Sequence, residues 1–147
     1  MYKMIQFTVT GNPIPYTRTT QRGKFVSPQW KRYADYKTKI VAAFLNAIDN
    51  DADKRKFVYN YQMYGKPIIT TEKGYVLSVA YFANKRHGDM DNINKGVLDA
   101  LFVSDKNIVG AYNFDYDSDY PRLEIVICFD ANEWKSILRK VNWNEKD

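Results

Sequence analysis

The nine-residue segment Gly74–Phe82 restricts the fold of this chain more than any other segment. It is rich in valine and aromatic residues and apolar on both faces for much of its length, which is typical of a β-strand. A stretch of helical periodicity follows at about 91–102. We therefore expect the chain to combine strands with helices.

The remaining periodicities complete an α+β pattern. Residues 6–10 alternate polar and apolar side chains as a half-buried strand does, and Pro28 opens a segment whose apolar residues recur at helical spacing. Toward the C-terminus the sequence predicts two strands joined as a hairpin by a polar turn, followed by a helix, at 108–112, 122–129 and 132–140. We expect residues 1–147 to form one α+β domain, with a small mixed β-sheet of about four strands packed with two to three helices.

Residues 49–72 are harder to interpret. An Asp-Asn-Asp sequence at 49–51 breaks the preceding helix, and the charged run through Lys56 fits either a second short helix or a loop. The chain has no repeats, low-complexity tracts or linkers. The segment therefore looks like an insertion within the single domain.

The sequence carries no signal for a membrane or for export. No apolar run approaches the roughly 18 residues that cross a bilayer, and the first residues lack a hydrophobic signal core. Cys128 is the one cysteine, which excludes an internal disulfide, and its apolar surroundings favour a buried, inert thiol. These features predict a soluble, cytoplasmic protein.

Basic side chains are concentrated at the start of the chain. Residues 1–40 carry a net charge of +7 against +5 for the whole chain, so the remainder carries −2. A basic arm on a slightly acidic body favours a polyanionic partner such as nucleic acid. A surface that only keeps the protein in solution is an equally good interpretation of the charge alone.

The residues that could form a catalytic or metal-binding site are concentrated in residues 85–110. On a helical wheel, the apolar residues of 91–102 form one stripe that faces the core, and four polar residues lie off that stripe: Asp91, Asn92, Lys95 and Asp99. Asp89 comes just before this helix, and Asp105 begins the segment that follows it. A chain that returns beside the start of the helix would bring the carboxylates of Asp89, Asp91 and Asp105 together.

Such a cluster of carboxylates suits a divalent cation. Neighbouring carboxylates repel one another and raise each other's pKa unless a cation neutralises them. Mg²⁺ prefers oxygen ligands and keeps sites for water and phosphate, and Lys95 would supply a positive charge for a phosphate group. One histidine and one cysteine provide no zinc site and no Cys–His pair. On spacing alone, however, Asp91 is equally suited to capping the helix and pairing with Lys95.

The acidic segment resembles the signature of the RusA-type Holliday junction resolvases. The resemblance rests on Gly-Asp-Met-Asp-Asn-Ile at 88–93, Lys95, Val-Leu-Asp-Ala-Leu at 97–101 and Ser-Asp at 104–105. The opening Phe7-x-Val9-x-Gly11-x-Pro13-x-Pro15-x-x-Arg18 and the basic loop that ends in Phe-Val-Ser-Pro at 25–28 are also similar to the family. Ser104 stands where the family often has the first of two acidic residues.

This resemblance implies a function and a set of site residues. Members of the family are homodimers that bind four-way DNA junctions and make paired, symmetric nicks with Mg²⁺, for which Mn²⁺ is a substitute. Asp89, Asp91 and Asp105 match the metal-binding aspartates, and Lys95 matches the catalytic lysine. Asn92 and Asp99 match positions with a supporting or structural role. No membrane and no small-molecule cofactor is implied, and such proteins are often encoded by phages or prophages.

Seven basic residues are our candidates for contacts with DNA phosphates. They lie in the basic arm and before the acidic motif: Arg18, Arg22, Lys24, Lys31, Arg32, Lys85 and Arg86. Tyr16, Phe25 and Trp30 lie among them and are candidates for stacking on unpaired bases, although packing on the domain fits each of them as well.

The sequence thus favours a Mg²⁺-dependent endodeoxyribonuclease that resolves Holliday junctions during DNA recombination and repair. Two alternatives remain: a metal-dependent nuclease acting on flaps or forks, and a branched-DNA-binding protein without enzymatic activity whose acidic residues only cap a helix.

Overall fold

The frame of the molecule is a mixed β-sheet with helices on both of its faces. A computed structural model describes residues 4–17, 28–69, 73–83, 90–104, 106 and 108–140. Within these ranges there are four strands and four helices: β1 (Met4–Thr10), α1 (Pro28–Asn46), α2 (Asp51–Tyr64), β2 (Gly74–Phe82), α3 (Met90–Leu101), β3 (Ile108–Asp117), β4 (Arg122–Cys128) and α4 (Ala131–Lys140). The predicted α+β class with a small mixed sheet is confirmed. Strand β3 extends five residues beyond the predicted 108–112, and residues 51–64, which fitted either a helix or a loop, form a helix.

The order of the strands differs from the predicted hairpin. The sheet runs β1-β4-β2-β3, with β3 parallel to β2 and β4 antiparallel to both β1 and β2. The prediction that β3 and β4 pair with each other is therefore wrong. After β3, the backbone N–H of Ser118 donates to the carbonyl of Phe82 at the end of β2 (2.9 Å), so the polar turn passes the end of β2 and β4 enters between β2 and β1.

The main core lies between the sheet and helices α1 and α3. Alternate residues of each strand point to it, as in β1, where Ile5, Phe7 and Val9 are buried and the residues between them are exposed. From α1, Phe44 is fully buried and packs edge-to-face on Phe7, with ring centroids 5.8 Å apart. This core holds α3 against the sheet by its apolar stripe.

Helix α4 covers part of the opposite face. Trp134 stacks on Tyr75 with ring centroids 5.4 Å apart and packs in a second cluster with Leu77 and Cys128. Cys128 is fully buried, as predicted, and burial is the main cause that raises the pKa of its thiol to about 11. The thiolate form is therefore scarce at neutral pH, and the thiol is chemically inert there.

Residues 51–64 form a helix with a cap at each end. The Asn50 side chain accepts a hydrogen bond from the N–H of Asp53 (3.0 Å), and Gly65 closes the helix in the left-handed conformation at φ 75°. Phe57 and Asn60 are its buried residues. A helix that buries so few side chains has only a weak apolar stripe, so its sequence fits a helix and a loop equally well.

Among the described residues, none of the helices has both the length and the apolar character that crossing a membrane requires.

Candidate functional site

Helix α3 presents its polar face away from the core, as the wheel predicted. Ile93 and Val97 are buried, as are Ala100 and Leu101, whereas Asp91 and Lys95 are exposed. Asp99 is partly buried one turn beyond Lys95. The structure therefore confirms that the core-facing and polar faces of this helix are separate, with Asp91, Lys95 and Asp99 spaced one turn apart on the polar one.

Hydrogen bonds fix the position of α3 on its neighbours. The buried hydroxyl of Ser78 in β2 donates to the Asn94 side-chain oxygen (3.0 Å), and the backbone N–H of Tyr16 donates to the Asn92 carbonyl (2.9 Å). Both bonds involve residues in the first half of α3, around Asp91. A polar contact inside a core is specific because its loss leaves a buried group unpaired, so these bonds set the position of the helix along its axis.

Gly96 allows the close approach of α1 and of the segment around Tyr16. A Cβ atom at this position would lie 3.2 Å from Cε1 of Tyr33 and 3.6 Å from the backbone nitrogen of Tyr16. Tyr16 and Tyr33 in turn pack edge-to-face with ring centroids 5.2 Å apart. The absence of a side chain at residue 96 thus places two tyrosines directly beside the polar face of α3.

Tyr16 orients the Lys95 side chain. The Lys95 ammonium lies 4.6 Å from the centroid of the Tyr16 ring, within the range of a cation–π contact. This contact uses the charge of the ammonium but none of its three N–H donors, which remain suited to a phosphate oxygen. The arrangement supports the predicted role of Lys95 as a phosphate-binding group.

Asp99 is the centre of a network of hydrogen bonds and ion pairs. Its carboxylate accepts from the Tyr33 hydroxyl (2.5 Å) and pairs with Lys37 of α1 (3.1 Å) and with Lys66 (3.2 Å). Burial alone would raise the pKa of Asp99, but these three donors outweigh it and hold the pKa below its usual value. Burial, and after it the hydrogen bond to the Asp99 carboxylate, raises the pKa of Tyr33. Asp99 is therefore ionised and Tyr33 neutral at physiological pH.

Two clefts flank this polar face. One, of about 330 Å³, is lined by Lys66, Lys95 and Asp99 together with Tyr16, Phe102 and Ser104. The other, of about 680 Å³, is lined by residues that include Arg32, Asn92 and Pro15. The second cleft brings a predicted DNA-contacting residue, Arg32, to the same surface as the predicted supporting residue Asn92.

The other basic candidates are less informative. Lys31 is highly exposed and forms a loose pair with Asp35 on the next turn of α1 (3.8 Å), which adds little stability because both groups are solvated. The remaining five, Arg18, Arg22, Lys24, Lys85 and Arg86, lie outside the described residues. Of the aromatic candidates, Tyr16 and Trp30 are partly buried against the domain, and Phe25 also lies outside the described residues.

The predicted metal site is described in part. Asp91 offers an exposed carboxylate in the first turn of α3, while Asp89 and Asp105 lie outside the described residues. In the part of the chain that the structure describes, no three histidine, cysteine, aspartate or glutamate side chains cluster as metal ligands. The oxygen-only character of the three predicted ligands suits Mg²⁺ and not a softer metal.

Sequence reasoning missed the three residues that contact Asp99, which are Tyr33, Lys37 and Lys66. Tyr33 and Lys37 lie on the helical stripe of α1, where a tyrosine and a lysine stem are ordinary packing residues. Lys66 lies in the segment that looked like an insertion. The sequence contained no signal that these residues meet at Asp99, because the contact depends on how three separate segments pack.

No protein-family model matches the chain, and a search of curated proteins finds no significant relative.

Proposed function

We propose that this protein is a Mg²⁺-dependent endodeoxyribonuclease that resolves Holliday junctions, acting inside the cell in DNA recombination and repair. The observation that carries the proposal is the polar face of α3. Asp91 and Lys95 are exposed there one turn apart, within a sequence that resembles the RusA signature. This combination supplies a metal-binding carboxylate and a phosphate-binding cation at adjacent positions.

The chain's own residues have separate parts in the proposed reaction. Asp91, with Asp89 and Asp105, would hold Mg²⁺, which when bound supplies an activated water and stabilises charge on the phosphate. Lys95, held by the Tyr16 ring, would donate to an oxygen of the scissile phosphate and stabilise the negative charge that develops there. Removal of one such stabilising donor reduces turnover by on the order of 10²–10³-fold in other enzymes.

DNA would be held by the basic residues near this face. Arg32 lines the cleft that Asn92 also lines, so a backbone phosphate bound by Arg32 lies beside the start of α3. Contacts of this kind give affinity without reading base sequence, as recognition of a branched structure requires. We propose a homodimer as the active form, because two equivalent sites suit two equivalent cuts in a junction of near two-fold symmetry.

The test is cleavage of a labelled synthetic four-way junction, with a linear duplex and a flap as alternative substrates. Wild type is compared with Asp91→Asn, Lys95→Gln and a matched control, Asp51→Asn. Asp51 is an exposed aspartate in the first turn of α2, so the control removes the same charge from the first turn of another helix. Each reaction is run in Mg²⁺ and in EDTA, and binding is measured by fluorescence anisotropy without metal.

We expect paired nicks in the junction alone, lost in EDTA and in Asp91→Asn but retained in Asp51→Asn. Equal cutting of flaps and junctions would favour a flap or fork nuclease instead. A wild-type protein that binds the junction but never cuts it would contradict the catalytic proposal and favour a DNA-binding protein.

A further inference from the structure

Backbone hydrogen bonds hold the chain on both sides of Lys66. Before it, Gly65 ends α2 with its N–H bound to the Tyr61 carbonyl (2.9 Å). After it, Ile68 pairs with the end of α3: its N–H donates to the Leu101 carbonyl and its carbonyl accepts from Val103, each at 2.9 Å. The fold therefore holds Lys66 at the end of α3, on the rim of the cleft of about 330 Å³.

The ammonium of Lys66 is also fixed. It donates to the Asp99 carboxylate at 3.2 Å, and its side chain is 28% exposed. A lysine ammonium has three donors, so one bond to Asp99 leaves two for another acceptor. Asp99 thus acts as a positioning residue that directs Lys66 into the cleft.

The cleft carries more positive than negative charge. Lys66 and Lys95 line it together with Asp99. Asp99 also forms an ion pair with Lys37, which lines a separate cavity with Trp30. Lys37 therefore offsets Asp99 from outside the cleft, and the charges of Lys66 and Lys95 exceed what Asp99 alone would balance. The ammonium groups of a partly buried lysine and an exposed lysine beside one cleft repel each other, and an anion bound between them reduces that repulsion.

The size and lining of the cleft suit a phosphate group. Its volume of about 330 Å³ far exceeds the roughly 10–15 Å³ that one water requires, so a phosphodiester group can enter it. Ser104 adds a hydroxyl to the lining, and it immediately precedes Asp105 in the sequence. Lysine binds phosphate as a point charge and needs no planar geometry.

From these observations we infer that the cleft is a binding subsite for a DNA backbone phosphate, held jointly by Lys66 and Lys95 and positioned by Asp99. The inference rests on the proposed function and extends it, because Lys66 belongs to a segment for which the sequence suggested no role. The subsite places a second phosphate-binding lysine beside the proposed catalytic lysine. It predicts that the 65–68 segment contributes to the affinity for DNA.

The experiment compares Lys66→Gln with Lys37→Gln. Both substitutions remove one lysine from Asp99, but only the first removes a charge from the cleft. Affinity for the labelled four-way junction is measured by anisotropy in EDTA over a range of salt concentrations, and Lys66→Arg serves as the conservative variant. Unfolding by urea is measured for each protein.

We expect Lys66→Gln to bind the junction about fivefold more weakly. The plot of the logarithm of the association constant against the logarithm of the salt concentration should become shallower by about 0.9, the value for one lost phosphate contact. Lys37→Gln should stay within twofold of wild type, and Lys66→Arg should restore most of the affinity. Both glutamine variants should lose similar stability, because each loses one ion pair to Asp99. A role confined to stability would change both proteins in the same way in the binding assay.

A second arm titrates inorganic phosphate into the wild-type protein in competition with DNA. The subsite is supported if phosphate displaces DNA from the wild-type protein and displaces it less effectively from Lys66→Gln. If phosphate binds through Lys66 while the junction affinity is unchanged by Lys66→Gln, the cleft is a free-phosphate site and the inference is wrong. An unchanged salt slope in Lys66→Gln, with wild type still binding and cutting, overturns the subsite alone. A wild-type protein that neither binds nor cuts DNA overturns the proposed function as well.

Discussion

Replacement of Asp99 by asparagine tests whether the network at the end of α3 stabilises the fold. Asparagine keeps the shape of the side chain and one acceptor oxygen but removes the charge that Tyr33, Lys37 and Lys66 share. It also turns an amide N–H₂ donor toward groups that are themselves donors. We expect the variant to fold but to be less stable.

The magnitude follows from the exposure of each partner. Tyr33 is 2% exposed, and a buried hydrogen bond to a charged group contributes about 1.5–3 kcal/mol. The lysine side chains are 35% and 28% exposed, so solvent screening limits each pair to about 0.5 kcal/mol. The asparagine oxygen retains part of the Tyr33 bond, which leaves an expected loss of about 2 kcal/mol. For a chain of this size that loss lowers the melting temperature by roughly 4–8 °C.

The dependence on pH provides an independent check. The pKa of Asp99 is lower in the folded protein than in the unfolded chain, so the ionised carboxylate favours folding. This stabilisation is complete above the unfolded pKa of about 3.9 and is lost as the pH falls through the folded value. The difference in stability between wild type and Asp99→Asn should therefore be constant from about pH 5 to 8 and shrink below about pH 4.

Urea unfolding of the two proteins at several pH values measures this difference. Tyr33→Phe, which removes the hydroxyl and leaves both lysines on Asp99, should lose about 1.5–3 kcal/mol, the full contribution of that hydrogen bond. A loss below about 0.5 kcal/mol in Asp99→Asn at pH 7 would refute the argument, as would a loss that stays the same at pH 3. A small loss at pH 7 would show that the three contacts only replace the hydration that the Asp99 carboxylate has in the unfolded chain. An unchanged loss at pH 3 would show that the stabilisation does not depend on its charge.

Two other substitutions test the packing around this network, each by urea unfolding. Tyr36→Phe should raise the free energy of unfolding by about 1 kcal/mol, because the buried Tyr36 hydroxyl has no hydrogen-bond partner among the described residues. An unchanged free energy of unfolding would indicate that the hydroxyl is satisfied. Gly96→Ala should lower the free energy of unfolding by about 1 kcal/mol. Overpacking against Tyr33 costs about 1–3 kcal/mol, which exceeds the roughly 1 kcal/mol that alanine gains over glycine in a helix. A more stable variant would show that Tyr33 shifts freely to make room.

Much of the fold could be predicted because its elements have strong local patterns. The strand at Gly74–Phe82 is a nearly continuous apolar run, and the helix that starts at Pro28 has clear apolar periodicity. The pairing of the strands could not be predicted in the same way. A polar turn between two strands is compatible with a hairpin, and only long-range packing determines that β4 lies next to β2 and β1.

The polar face of α3 was predictable because a helix of known phase assigns each residue to a side. The orientation of α3 that buries Val97 also exposes Lys95 and places Asp99 at the edge of the core. The partners of Asp99 could not be predicted, because Tyr33 and Lys66 are 66 and 33 residues away in the sequence. Neither distance corresponds to a local period of a helix or strand.

The segment that resembled an insertion is an integral part of this site. Its backbone pairs with the end of α3 through Ile68 and Phe102, and the side chain of Asn60 supports the same turn by donating to the Pro67 carbonyl (3.2 Å). Since Asn60 is buried, that bond replaces lost contacts with water and holds the turn in one conformation. A flexible insertion would leave Lys66 to solvent, whereas this turn directs it to the carboxylate one helical turn beyond Lys95. The acidic helix and the segment before β2 therefore form a single surface. If the proposed phosphate subsite is correct, changes in either segment should alter the affinity of this surface for phosphate.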